Sequence, residues 1–166
     1  MKTVDFIRKA LDRSAGATLA LIDDMKELPL TFPTPRGGNH PLWVLGHLAH
    51  SEGELIQQIM LGRANPLDHW KGLFGRGSEP SAEATRYPAF EEVKKAFQDL
   101  RAQTLKVLST LTDADLDQPS KACPPELSEF VGTFGQCFLI TILNTMTHRG
   151  QVADARRAAG RKPMRM

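Results

Sequence analysis

Residues 90–111 read FEEVKKAFQDLRAQTLKVLSTL, and in them Phe90, Val93, Phe97, Leu100, Thr104, Val107 and Leu111 recur at alternating steps of three and four. That spacing puts all seven on one face of an α-helix, which is read as core. No stretch of the chain shows the sustained alternation and β-branched enrichment that strands require. The fold class read from this pattern is all-α.

Three more helical segments surround this one. The first is predicted from Thr3 to about Leu28, with Phe6, Ala10, Leu11, Ala17, Leu21, Met25 and Leu28 near one stripe, and Pro29 stops it because proline has no N–H to continue the ladder. LTFPTPRGG, residues 30–38, follows as a loop. The second helix runs from Pro41, a residue suited to a first turn, to about Leu61; Asn39 or His40 caps it and Gly62 ends it. The fourth begins at Thr133, whose spacing to Gln136 is that of a capping box, and continues to Ala159 with Gly160 as a left-handed C-cap. LTDADLDQPSKACPPE before it reads as a polar connection, and RKPMRM after it as a loose basic tail.

Between the second and third helices lie 27 residues, Gly62 to Pro88, punctuated by glycine and proline. A connection this long needs a reason. A 20-residue helix is about 30 Å long, and 27 residues retrace that length easily, so helices two and three are expected to run parallel. Trp70, Leu73, Phe74 and Tyr87 carry enough apolar surface to pack the loop down, so it is expected to be ordered. Four long helices with one crossover make a four-helix bundle the economical solution.

At 166 residues the chain is read as one domain, 1–166, long enough to bury a core without a disulfide or structural metal, so that any metal would serve chemistry. The 21 basic and 19 acidic residues are too evenly balanced for a nucleic-acid footprint. Cys123 and Cys137 lie 14 apart with no metal or redox spacing, which fits a reducing cytoplasm. Asp5, Arg8 and Lys9 interrupt the N-terminus where a signal peptide is apolar, and no run is long enough for a membrane span.

Chemistry is sought among the histidines. His47 and His50 lie three apart on helix two, with Trp43 and Glu54 on adjoining turns. On helix four, Asn144, His148 and Gln151 form a polar stripe in an otherwise apolar stretch, and polar side chains facing a bundle interior need partners or a metal. The plainer reading makes His40 and His50 capping or surface residues and Cys137 a core residue.

NHPLWVLGHLAHSE, LDHWKGLFGRGSEP with YPAFEEV, and GTFGQCFLITILNTMTHRGQVADARRAAGRKP together resemble the DinB/YfiT-like family, over about Asn39 to Pro163. The GHLAH and HRGQ patterns are the most specific parts. The resemblance implies an up-down-down-up four-helix bundle holding a divalent metal, nickel or zinc, through three histidines. His47 matches the first ligand and His148 the last, whereas Asn144 stands at the middle position. An amide oxygen is a weaker ligand for these metals than imidazole, so Asn144, His50 or Glu54 would complete the site, or the pocket is metal-free; Gln151 would orient a ligand.

The family's chemistry implies a thiol-dependent transferase or a hydrolase, in which the ion activates a low-molecular-weight thiol or water for a small-molecule substrate. The alternative is a catalytically inactive bundle acting as a small-molecule-binding or stress-response protein. A homodimer is expected, with no nucleic acid or membrane as partner.

Overall fold

The computed structural model describes residues 1–31 and 38–164. Among them are six α-helices: α1 (Thr3–Asp23), α2 (Pro41–Glu52), α3 (Lys71–Phe74), α4 (Phe90–Leu108), α5 (Ser128–Val131) and α6 (Phe134–Ala158). The described residues form no strand, only an isolated bridge between Pro119 and Thr133. The all-α reading therefore holds. No helix among the described residues is long and apolar enough to cross a membrane.

Helix α2 begins as its sequence dictates. His40 caps it, its Nδ1 accepting the Trp43 N–H at 3.0 Å while Nε2–H donates to the Ser81 carbonyl at 2.9 Å, and Pro41 fills the first turn. Every residue from Pro41 to Glu52 is buried. A helix with no water-facing side is a central one. It continues directly into a π-helix, Gly53–Met60, and Gly62 closes the rod with φ +66°. The widening coincides with an insertion: Asn65 Nδ2 donates to the His50 carbonyl at 3.2 Å, and a Cβ on Gly53 would stand 2.2 Å from Asn65 Oδ1. Glycine at 53 leaves the room that the amide occupies.

Helix α4 buries Val93, Phe97, Leu100 and Thr104 as its periodicity requires, together with Arg101 and Leu108. It stops at Leu108 rather than Leu111. The Ser109 and Thr110 hydroxyls turn back onto the Lys106 and Val107 carbonyls, each at 2.7 Å, and compete with further helical bonds.

Helix α1 departs more from its reading. It ends at Asp23, with tight turns as far as Leu28, and Asp24 is drawn to Arg156 of α6 at 2.6 Å. Leu11, Leu21 and Met25 are buried as expected, but Phe6 is 59% exposed, and the rest of the buried face is Val4, Ile7, Ser14, Ala15, Thr18 and Ile22. The two hydroxyls are tolerated inside because Ser14 donates to the Leu11 carbonyl and Thr18 to that of Ser14.

The 62–88 connection is ordered, with Trp70 and Phe74 buried and α3 within it. The polar connection after α4 also contains structure that its proline content concealed: 3₁₀ turns at Asp113–Asp117 and Pro125–Leu127, then α5. Asp113 caps α1 from this segment, accepting the Thr3 and Val4 N–H groups at 2.9 Å each. Thr133 and Gln136 form the predicted capping box of α6. The LTFPTPRGG loop falls largely on residues 32–37 and the tail partly on 165–166, outside the described residues.

Two apolar clusters make the core. One joins α2 and α4 through Trp43, Leu45, Leu48, Phe74, Val93 and Phe97; the other joins α1, the π-helix and α6 through Leu11, Ile56, Met60, Phe134 and Phe138. Between them lies a buried ion pair: Arg101 Nε donates to Glu52 Oε1 at 2.9 Å and Nη2 to Oε2 at 2.9 Å, while Nη1 donates to the Leu11 carbonyl. Removing one partner strands a buried charge, which costs about 3–5 kcal/mol, whereas replacing both with apolar residues of similar volume is far milder. Arg101→Met is therefore expected to lower the urea-unfolding free energy by about 3–5 kcal/mol, with Glu52→Leu in the same chain recovering most of it.

Candidate functional site

Trp43 and His47 stand one turn apart on α2 and stack face to face, with ring centroids at 4.7 Å and planes 7° apart. His47 Nδ1 lies 2.7 Å from the Phe74 carbonyl oxygen. A carbonyl only accepts, so Nδ1 carries the proton and Nε2 keeps its lone pair; the Ser51 hydroxyl approaches that nitrogen at 3.3 Å. Phe74 reaches this position because Gly46 has no side chain: a Cβ there would lie 2.3 Å from the Phe74 ring. Trp43 Nε1 adds a second strap, donating to the Leu73 carbonyl at 3.0 Å.

His148 of α6 comes up against His47 with ring centroids 4.6 Å apart and planes at 61°. Its Nδ1 is 2.8 Å from Gln151 Oε1, an oxygen that also accepts from Asn39 Nδ2 at 3.0 Å. Again the acceptor assigns the proton to Nδ1 and leaves Nε2 bare. Both rings are thus held in one tautomer by a bond to the far nitrogen, the arrangement that orients metal-binding imidazoles.

Burial keeps both rings neutral. It pushes the His47 pKa down to about 4, opposed by the bond to the Phe74 carbonyl and reinforced by His148 and His50. His148 is lowered by burial too, opposed by Gln151. Neutral imidazoles are the form that coordinates a metal.

Asn144, one turn before His148, is half-buried and lines a cavity of about 500 Å³ with His47, Ser51 and Glu54. Of the three candidate ligands, His47 and Asn144 line this cavity, whereas His148 does not line it and meets His47 ring to ring. Among the described residues no group of three or more His, Cys, Asp or Glu is arranged to hold a divalent ion.

The other candidates fall elsewhere. His50 is 3% exposed, not a surface residue, and does not line the cavity; both its ring nitrogens lack a hydrogen-bond partner among the described residues. The charges acting on it are Glu54, Asp68 and Lys71. Cys137 is a core residue, beside Ser120 at 3.3 Å, with its thiol pKa raised by burial. Gln151 binds His148, as an orienting residue would. Missed by the sequence reading were Asn39 as its second support and the Phe74 carbonyl, a backbone group that no residue type announces.

His40, His47, His50 and His148 all have pKa values lowered chiefly by burial. The unfolded chain takes up protons near pH 6.5, while folded His47 resists until about 4. Stability is therefore full above the unfolded value and is lost as pH falls toward the folded one, with His47 contributing at most about 3 kcal/mol. Chemical unfolding at pH 7 and pH 4.5 is expected to show lower stability at the acid value, and His47→Gln to shrink that difference. An unchanged pH dependence in the variant would contradict a buried neutral His47.

Comparison with curated proteins gives no match. The family model described as the DinB superfamily matches residues 10–152, the span from the first turns of α1 through His47, Asn144, His148 and Gln151. With most of its length matched, this chain belongs to the DinB superfamily.

Proposed function

We propose that the chain is a metal-dependent enzyme of the thiol-dependent transferase or hydrolase type, with His47 and His148 as strong ligands to a divalent nickel or zinc ion and Asn144 as a weak third. The observation that carries this reading is the paired imidazoles, 4.6 Å apart, each with its Nδ1–H committed and its Nε2 lone pair kept. A divalent ion supplies Lewis acidity that lowers the pKa of a bound thiol or water and yields a nucleophile at neutral pH. The chain's own residues hold two neutral imidazoles, orient them through Phe74 and Gln151, and line an open small-molecule cavity beside His47.

The up-down-down-up path belongs to the same reading. Asp23 pairs with Lys94 and Leu11 with Arg101, contacts that support an antiparallel α1 and α4; His40 meets Tyr87 and Glu52 meets Arg101, contacts that support a parallel α2 and α4. We take 1–166 as one domain, working in a reducing cytoplasm in keeping with the free thiols Cys123 and Cys137. A homodimer would cover Leu139, Leu143 and Met146, which α6 turns outward.

A second reading, a catalytically inactive bundle that binds a small molecule or serves a stress response, is favoured by one residue: Asn144, an amide at the position of the family's middle histidine. Isothermal titration of untagged, chelator-treated protein with nickel or zinc separates the two. Asn144→His is expected to bind at least about tenfold more tightly than the parent, about 1.4 kcal/mol, and His47→Ala or His148→Ala to abolish uptake. A parent and an Asn144→His variant that both stay metal-free would leave the inactive reading.

A further inference from the structure

The cavity beside His47 carries one positive group, and its backbone is built. Ser78 N–H donates to the Gly75 carbonyl at 3.1 Å, closing a turn with Arg76 and Gly77 at its centre. Gly77 has φ +86°, a value that glycine adopts without strain and that places a bend directly after Arg76. Both sides of this turn are tied to α2. His47 holds the Phe74 carbonyl before it, and Trp43 Nε1 donates at 3.2 Å to Ser78 Oγ after it, while Ser78 Oγ donates to the Leu73 carbonyl at 3.1 Å.

Arg76 therefore comes from a pinned turn and forms part of the cavity wall. It has no ion-pair partner among the described residues, and neither does Glu54 on the same wall. The rest of the lining is mostly apolar, including Leu55, Ile59, Leu127, Phe130 and Ile140. About 500 Å³ is room for a ligand of small-metabolite size.

We propose that Arg76 determines the ligand class of this cavity: a small monoanion, one carboxylate on an apolar body, with the carboxylate at the Arg76 turn and the body against the aliphatic wall. Guanidinium matches a carboxylate in planar, two-bonded geometry, and the pinned turn fixes the point on the cavity wall from which the side chain departs. Glu54 restricts the ligand to a single anionic end, because a second carboxylate would meet a like charge. This rests on reading the cavity as the substrate site, and it is independent of whether an ion is bound.

The test uses metal-free protein, so that no carboxylate–metal bond contributes, with 4-phenylbutyrate, neutral 4-phenylbutanamide and the dianion phenylsuccinate as probes in ligand-observed NMR titrations. The acid is expected to bind about fivefold more tightly than the amide, a modest factor because Arg76 is solvent-exposed. Arg76→Gln should erase that preference without changing amide affinity. Phenylsuccinate should bind the parent no better than phenylbutyrate and gain in Glu54→Gln. Equal affinity for acid and amide, a preference that survives Arg76→Gln, a dianion bound more tightly than the monoanion by the parent, or no binding of either monofunctional probe up to roughly 10 mM would overturn the proposal. A preference for the acid in a protein that takes up no metal would remove the metal reading and leave this one intact.

Discussion

The Glu52–Arg101 pair, with its third bond to the Leu11 carbonyl, sets the heights at which three helices meet. Apolar packing is non-directional, and helices in contact only through Leu, Val and Phe can slide with modest loss. A buried guanidinium cannot. Moving α2 or α4 by one turn would leave a charge in the interior without its partner, at a cost larger than most single packing defects, and moving α1 would take the Leu11 carbonyl from Arg101 Nη1. The apolar clusters on either side of this polar layer are thereby registered against each other.

His47 lies five residues before Glu52 on the same buried helix, so its height is set by that layer. The ring then works in two directions. Nδ1 ties down the Phe74 carbonyl and with it the start of the turn that carries Arg76, while Nε2 stays unprotonated. One side chain thus joins the candidate metal position to the shape of the cavity, and Trp43, stacked on it and bonded to the same loop, stiffens both. The π-helix that follows contributes Glu54, Leu55 and Ile59 to the cavity wall. A widened helical segment beside a cavity is a recurrent feature of functional sites.

Much of this was legible in the chain. The Phe90–Leu111 period identified the face that α4 buries, and the capping chemistry of His40–Pro41, Thr133–Gln136, Gly62 and Gly160 gave the ends of α2 with its π continuation and of α6 to within a residue or two. The aromatic content of residues 62–88 correctly indicated order. Helix α1 and the turn after it were read correctly at Leu11, Leu21 and Met25, which are buried, and α1 was misread toward its start because it carries apolar residues on two stripes: Phe6, Ala10 and Ala17 fit a helical face as well as Val4, Ile7 and Ala15 do. The choice between them turns on Ser14 and Thr18, polar residues that enter the core by bonding to their own helix. His50, read as a capping or surface residue, is buried because Asn65 and the loop after it close over that side of α2.

By itself the sequence determined the all-α class and most helix ends, since each of these depends on residues within about one turn of one another, while the family resemblance pointed to His47, Asn144 and His148. The tertiary structure alone decided which α1 face is core, that Arg101 pairs with Glu52, that the two imidazoles meet, which nitrogen of each carries the proton, and that Arg76 is held at the cavity. Apart from the His148 proton, which Gln151 three residues along the same helix assigns, these are set by groups far apart along the chain, and two of the decisive partners, the Phe74 and Leu11 carbonyls, are backbone atoms that every residue possesses and no sequence pattern distinguishes.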